Sequence, residues 1–205
     1  MIPDYWQSAS RSLARRDAVM ATLVRRYRSS SLVSRGDAFA TLSRSIVGQQ
    51  ISVKAADAVW RRVSATLGNV TPQVIFAGGA DGLDGCGLSA RKTEYLVDLA
   101  RHFVEGRIVP ERWAAMDDEA VIDELTDVRG IGRWTAEMFL IFNLLRPDVF
   151  PLDDLGVQKA VFQHYFDGEK QTRSVLAELG ERWRPWRSVA TWYLWRSLDP
   201  VPVEY

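Results

Sequence analysis

The chain has 205 residues, 47% hydrophobic and 25% charged, with a formal net charge of zero. That length supplies an ample core for one large domain or two small ones, and the composition is ordinary for a soluble globular protein. A single cysteine, Cys86, excludes an intramolecular disulfide framework and a four-cysteine zinc site or iron–sulfur cluster held by this chain alone; with only His102 and His164 beside it, a zinc hydrolytic centre is disfavoured.

No run of 18 apolar residues exists, and the N-terminal Met1-Ile-Pro-Asp-Tyr-Trp lacks the basic-then-apolar order of a secretory signal. The expectation is a cytoplasmic protein with no membrane association. Zero net charge counts against a nucleic-acid partner. The 26 basic residues, however, are 22 Arg and 4 Lys, and Arg is the side chain suited to bidentate phosphate contacts. Codon usage in a GC-rich genome accounts for the same excess equally well.

In chain order, the pattern reads as helix after helix. Asp4–Tyr27 carries apolar residues at helical spacing, with Trp6, Leu13, Val19, Leu23 and Val24 inward. Residues 37–67 predict two helices meeting near Gly48–Ser52. Thr71-Pro72 is a helix start, an N-cap followed by proline at the first helical position. Five glycines within 78–87 mark a turn region. Ser89 opens a helix to Glu105, and Asp117-Asp118-Glu119 opens another, with its acids at the favourable end of the dipole. Thr126–Gly132 is a hairpin and Arg133–Asn143 the helix behind it. Arg146–Pro151 is an extended linker bracketed by prolines, and helices over 154–165, 172–182 and 185–197 complete the chain. Strand signals are nearly absent, so the expected fold class is all-α.

The most informative segment is the hairpin. Gly130 and Gly132 flank Ile131; glycines permit positive φ and place no Cβ between backbone and ligand. The helix starting at Arg133 points its free N–H groups into the turn, a ready anion site. A DNA phosphate suits such a site without base readout, with Ile131 pinning the turn to the core. Gly-x-Gly alone equally suits a plain helix–turn–helix corner; the string Val-Arg-Gly-Ile-Gly-Arg-Trp-Thr-Ala before an apolar helix is far more specific.

Val128–Ala136 resembles the motif of the helix-hairpin-helix DNA glycosylase superfamily that carries a Gly/Pro-rich loop and a terminal Asp, and Asp148–Lys159 resembles that loop and Asp. The resemblance is nearest to the 3-methyladenine DNA glycosylase II branch. Arg44–Ser52 is similar to the branch's helix junction facing the lesion, and Glu181–Ser188 with Trp195 to its C-terminal helix. The resemblance implies a two-lobed helical fold with the active-site cleft between the lobes. The best-known enzyme of this type has a further N-terminal β-rich domain; about 36 residues precede the shared region here, so the compact form is expected. The expected organisation is an N-terminal helical segment over 1–36 packing on the second lobe, a glycosylase domain over 37–198 with the hairpin at 125–136 and the catalytic loop at 147–157, and a tail over 199–205.

Hydrolysis of an N-glycosidic bond passes through an oxocarbenium-like sugar, and glycosidases usually need two carboxylates, one to protonate the leaving group. An N-alkylated purine is already cationic, so one carboxylate suffices. Of the adjacent Asp153 and Asp154, the resemblance implies that Asp154 is catalytic, while Asp153 is placed to cap the following helix. Bifunctional relatives carry Lys two residues beyond the second hairpin glycine to form a Schiff base; this chain has Trp134 there, which implies a monofunctional enzyme that leaves an abasic site.

Further roles rest on the same resemblance. Trp134 and Trp195 match aromatic positions lining the base pocket, where a flipped base needs a stacking surface and a cationic one gains about 0.5–2 kcal/mol from an electron-rich ring. Met138 and Leu155 occupy pocket positions that are aromatic in the best-known relative. Trp60, Trp113, Trp183, Trp186 and Trp192 read as core. Gln50 is the candidate wedge filling the space left by the extruded base. Gln49, Ser52, Gly130, Ile131, Gly132, Arg133, Thr135 and Arg187 are the candidate DNA contacts, Arg44 a weaker one. The backbone carbonyls of Thr126, Val128 and Ile131 are the candidate ligands of a structural Na+ or K+, with no other cofactor required. The implied activity is excision of alkylated purines, 3-methyladenine above all and 7-methylguanine in addition, from double-stranded DNA by a monomer. Two alternatives stand beside it: a glycosylase for deaminated or mismatched bases on the same scaffold, and a non-catalytic DNA-binding module.

Overall fold

The structure is a computed structural model that describes residues 2–34 and 36–198; the expected tail at 199–205 lies outside them. Among the described residues there is no strand, and the all-α expectation holds. The α-helices are α1 (Trp6–Arg16), α2 (Ala18–Arg26), α3 (Ala38–Gly48), α4 (Val53–Leu67), α5 (Pro72–Gly78), α6 (Ala90–Val104), α7 (Asp118–Thr126), α8 (Arg133–Phe142), α9 (Leu155–Tyr165), α10 (Arg173–Glu181) and α11 (Arg187–Leu198), with short 3-10 turns at Asp81–Leu83 and Pro110–Ala115. None is long and apolar enough to cross a membrane.

Most helix starts are set by short polar side chains that satisfy orphan N–H groups. Ser52, Thr71, Ser89 and Asp117 accept from the third residue beyond them, at Ala55, Val74, Lys92 and Ala120. The single N-terminal helix expected over 4–27 is two. Asp17 adopts an extended conformation (φ −141°, ψ 117°) and its carboxylate caps α2 through Met20 N–H at 2.9 Å. Across the break Met20 is buried with Trp6, Leu13 and Leu23, whereas Val19 and Val24 are only half-buried.

The chain forms two compact units, one from the described residues of 1–35 and 140–203, the other from residues 36–139. In the first, Trp183 is fully buried, lies edge-on to Phe150 (5.3 Å between centroids) and donates its indole N–H to Asp17 Oδ2 at 3.1 Å. Tyr165 donates to the same oxygen at 2.9 Å. Burial first, then the Asp17 charge, pushes the Tyr165 phenol well above its ordinary value, so it remains a donor. Trp6 stacks on Tyr193 and meets Trp192 edge-on. Trp183 and Trp192 are core as expected, while Trp186 is half-buried against Tyr5.

In the second unit, Trp113 is buried edge-on to Phe139 and donates to Glu124 at 2.6 Å. Trp60, expected in the core, is only half-buried, with the Arg44 guanidinium 5.6 Å from its ring. The buried carboxylate of Asp98 on α6 accepts from the Arg129 N–H at 2.9 Å and pairs with Arg101. Burial alone would raise the Asp98 carboxyl; the hydrogen bonds from Arg129 and Arg101 and the charges of His102 and Arg101 outweigh it and hold it below the usual carboxylate range.

Asp17→Ala removes a cap and strands one indole and one phenol donor, an expected loss of about 2–4 kcal/mol and a fall in Tm of roughly 5–15 °C by calorimetry. The Asp98 contribution has the sign of a depressed acid: present above the unfolded carboxyl value of about 4, lost as pH falls through the lower folded value. The Tm deficit of Asp98→Asn is therefore expected to be largest near neutrality and to shrink below about pH 4; a deficit independent of pH would remove the charge from the explanation.

Candidate active site

The hairpin belongs to the unit of residues 36–139. After α7 the chain turns through Val128 N–H to Leu125 O (3.2 Å) and Ile131 N–H to Val128 O (3.1 Å). Ile131 is buried and pins the turn, as its sequence suggested, and Val128 is buried with it. The two glycines act differently. Gly130 has φ +87°, and a Cβ there would lie 2.2 Å from the Tyr95 ring, so no other residue fits. Gly132 has an ordinary φ, is exposed, and a Cβ there would meet nothing within 4 Å; its value is the open approach to the start of α8. Trp134 and Met138 follow four residues apart on one face of α8, Trp134 41% exposed and Met138 buried. Thr135 is half-buried.

Arg133, an expected phosphate contact, is held here by carboxylates. Its guanidinium makes a two-pronged pair with Glu119 (2.8 and 2.5 Å) and reaches Glu137 at 3.1 Å. The Glu119 hydrogen bond is the main cause holding Arg133 above even its ordinary high value. Two carboxylates within reach in one unit claimed a side chain whose neighbours the sequence did not reveal.

The α3–α4 turn lies in the same unit. The amide of Gln49, an expected DNA contact, donates to the hairpin's Gly130 carbonyl at 2.8 Å. Gln50 is exposed and sits at φ +58°, a left-handed conformation uncommon for a non-glycine residue. Ser52 caps α4.

The loop carrying Asp154 belongs to the other unit. Arg187, expected to contact DNA, holds this loop: its Nε and Nη2 meet the Asp148 carboxylate at 2.8 and 3.1 Å, and Nη2 donates to the Asp148 carbonyl at 2.8 Å. This fork–fork geometry is the strong form of an Arg–carboxylate pair, and it is 39 residues long in sequence. Arg184 adds a bond to Asp148 at 2.9 Å, and Ser188 Oγ accepts from Val149 N–H at 2.9 Å. Three contacts thus fix the loop's entry before it reaches the acids.

The two acids part company. Asp153, expected to cap the helix, is exposed and paired with Arg173. Asp154 is itself the N-cap of α9: Oδ1 accepts from Val157 N–H at 2.7 Å and from the Trp195 indole N–H at 2.8 Å, with the residue only 9% exposed. Trp195 is held in turn by stacking on Phe142 (5.5 Å, 17° between planes). A Cβ at Gly156 would stand 3.1 Å from Asp154 Oδ1 and 3.3 Å from Trp195 Cδ1, so this glycine leaves room for the indole to reach the carboxylate. Leu155, expected as a pocket wall, is 79% exposed. It is the first residue of α9 and projects away from the core that Val157, Ala160 and Val161 bury.

The arrangement supplies one buried, doubly hydrogen-bonded carboxylate beside an indole in one unit, and a rigid Gly-x-Gly turn with an exposed tryptophan in the other. Phe142, Gly156, Asp148, Tyr95 and Asp98 were missed in the sequence. Only Gly156, directly after the acids and a leucine, carried a local signal.

A family model described as HhH-GPD superfamily base excision DNA repair protein matches residues 43–185. DNA-3-methyladenine glycosylase 1 of Schizosaccharomyces pombe is 33% identical over 182 residues, covering 87% of this chain and 80% of that protein. DNA-3-methyladenine glycosylase 2 of Escherichia coli is 31% identical over 182 residues, covering 82% of this chain and 60% of that protein. Among solved structures, the DNA-3-methyladenine glycosidase of Bacillus halodurans superposes with a TM-score of 0.84 at 31% identity, over 93% of this chain and 89% of the other. The 3-methyladenine DNA glycosylase of Schizosaccharomyces pombe, solved in complex with abasic DNA, superposes with a TM-score of 0.79 at 31% identity, over 97% and 98%. With the hairpin, the loop and the buried acid all inside or beside the matched span, the chain belongs to the HhH-GPD superfamily of base excision DNA repair proteins.

Proposed function

We propose that this protein is a monofunctional DNA glycosylase that excises alkylated purines, 3-methyladenine foremost and 7-methylguanine in addition, from double-stranded DNA, and that it works as a cytoplasmic monomer. The observation that carries the reading is Asp154, a buried carboxylate with Oδ1 fixed by two N–H donors. A buried charge is retained only when paired or hydrogen-bonded, and a helix cap alone does not need a tryptophan as second donor. The names of the relatives, DNA-3-methyladenine glycosylases, and the abasic DNA bound to one of them support the substrate class.

The chemistry follows from charge. An N3- or N7-alkylated purine is cationic, so the C1′–N bond breaks with its electron pair leaving on the base, which departs neutral. No proton donor is required. The Asp154 carboxylate stabilises the positive charge developing on the sugar. Water adds to C1′, and its proton passes to the carboxylate. Trp134, exposed at the start of α8, offers a face on which the extruded cationic base stacks, with Met138 one turn on. Trp195 holds Asp154 through its indole N–H and offers the acid's own unit an aromatic surface.

DNA is held by its backbone at the hairpin amides around Gly130, Ile131, Gly132 and Thr135. Gln50 fills the vacated stack, beside Ser52 at the head of α4. The carbonyls of Thr126, Val128 and Ile131 lie in one short turn; that of Val128 accepts Ile131 N–H and keeps a second lone pair. Neutral hard oxygens of this kind fit Na+ or K+, which would add positive charge where the phosphate docks.

Duplex DNA bearing methylated purines is expected to release free 3-methyladenine with the wild type. Asp154→Asn keeps an acceptor for Val157 and Trp195 but loses the charge, and is expected to lower the single-turnover rate by at least about 10²–10³-fold while duplex binding persists. Release unaffected by this substitution would sink the role of Asp154. With Trp134 where a Schiff-base lysine would stand, abasic DNA is expected to stay un-nicked, and borohydride to trap no covalent adduct; a trapped adduct would overturn the monofunctional reading.

A further inference from the structure

Four contacts converge on the hairpin from within its own unit. Helix α6 supplies three of them from one face, Tyr95, Asp98 and His102 being spaced three and four residues apart. The Tyr95 ring lies where a Gly130 Cβ would be, 2.2 Å away. Asp98 Oδ2 accepts from Arg129 N–H at 2.9 Å. His102 Nε2 lies 3.1 Å from Oδ2 of Asp127, the residue that ends α7. The fourth comes from the other side: Gln49, on the α3–α4 turn, donates to Gly130 O at 2.8 Å. Lys92 at the head of α6 donates to Val47 O at 2.8 Å and ties that turn back to α6.

Gln49 and Asp98 both spend their hydrogen bonds inside the protein. Asp98 is 5% exposed, and an anion would repel phosphate. The Gln49 amide is spent on a carbonyl. Both act on adjacent residues of the turn whose amides meet the phosphate, one holding Arg129 N–H and the other Gly130 C=O. An anion site made of neutral amides has only geometry to work with, because each donor must already point at the phosphate when it arrives.

We propose that Gln49 and Asp98 are positioning residues that clamp the Arg129–Gly130 dipeptide, pre-arranging the hairpin for phosphate and locking it in register with the α3–α4 turn that carries Gln50. The proposal rests on the reading of the hairpin as the phosphate grip. It assigns Gln49 to coupling the grip and the wedge, so that both are presented to DNA as one rigid piece.

The test uses the full chain carrying Gln49→Leu, near in size but without a donor, and separately Asp98→Leu. Amide hydrogen exchange is measured on the free proteins, and duplex affinity with a non-cleavable abasic analogue. With Gln49→Leu, exchange at residues 129–132 is expected to rise at least tenfold and Kd to weaken about tenfold. Single-turnover excision at saturating protein should stay within about threefold, since Asp154 is untouched. Weaker binding with unchanged hairpin exchange would make Gln49 a direct DNA contact and overturn the proposal, as would unchanged exchange and affinity together. If Asp98→Leu fails to fold, Gln49→Leu alone decides. A wild type that binds the duplex but releases no base sinks the excision reading while the clamp is still read from exchange and Kd; one that binds no duplex sinks both.

Discussion

A carboxylate taken out of water must be repaid in hydrogen bonds, and the site is organised around meeting that condition at Asp154. Its Oδ1 accepts a helix-capping N–H from Val157 and the indole N–H of Trp195. Each partner has a cause further out. The cap requires α9 to begin at Leu155, and the indole requires Gly156 to have no side chain and Phe142 to lie against the ring. The loop reaches this point because Arg187 grips Asp148 at its start. One acid thus serves both as helix cap and as hydrogen-bond acceptor for an aromatic.

The hairpin shows the complementary economy. It presents neutral donors rather than cations, and the arginines near it are engaged with acids: Arg133 with Glu119 and Glu137, Arg129 with Glu94. The same is true at Arg44 with Asp57, Arg107 with Glu105 and Arg184 with Glu181. This accounts for the tension between an arginine-rich composition and zero net charge. Much of the basic content pairs locally, and an anion site made of backbone amides at a helix start does not require a basic balance.

Helix starts were legible because capping is local: Thr71, Ser89 and Asp117 act within three residues of themselves. Gly130 was legible for a related reason, since a positive φ is a property of one residue. The two acids show where local reasoning fails. Either could cap a helix, and the choice of Asp154 depends on Trp195, 41 residues away. Arg133 and Arg187 make the same point: each pairs with carboxylates that linear order does not place beside it. The break at Asp17 was hidden because the apolar spacing on either side continues almost in phase.

The sequence by itself determined the helical class, the hairpin with its obligate glycine, the tryptophan rather than lysine two residues beyond it, and the pair of adjacent acids at 153 and 154. These depend on backbone preference and residue identity, which act over a few positions. Only the tertiary structure decided which acid is buried and doubly bonded, that Arg187 and Gln49 hold the protein to itself, that Leu155 is exposed, and that Tyr95 and Asp98 underlie the turn. Those outcomes depend on which side chains compete for the same partners once distant segments are packed together, and proximity of that kind has no signature in linear order.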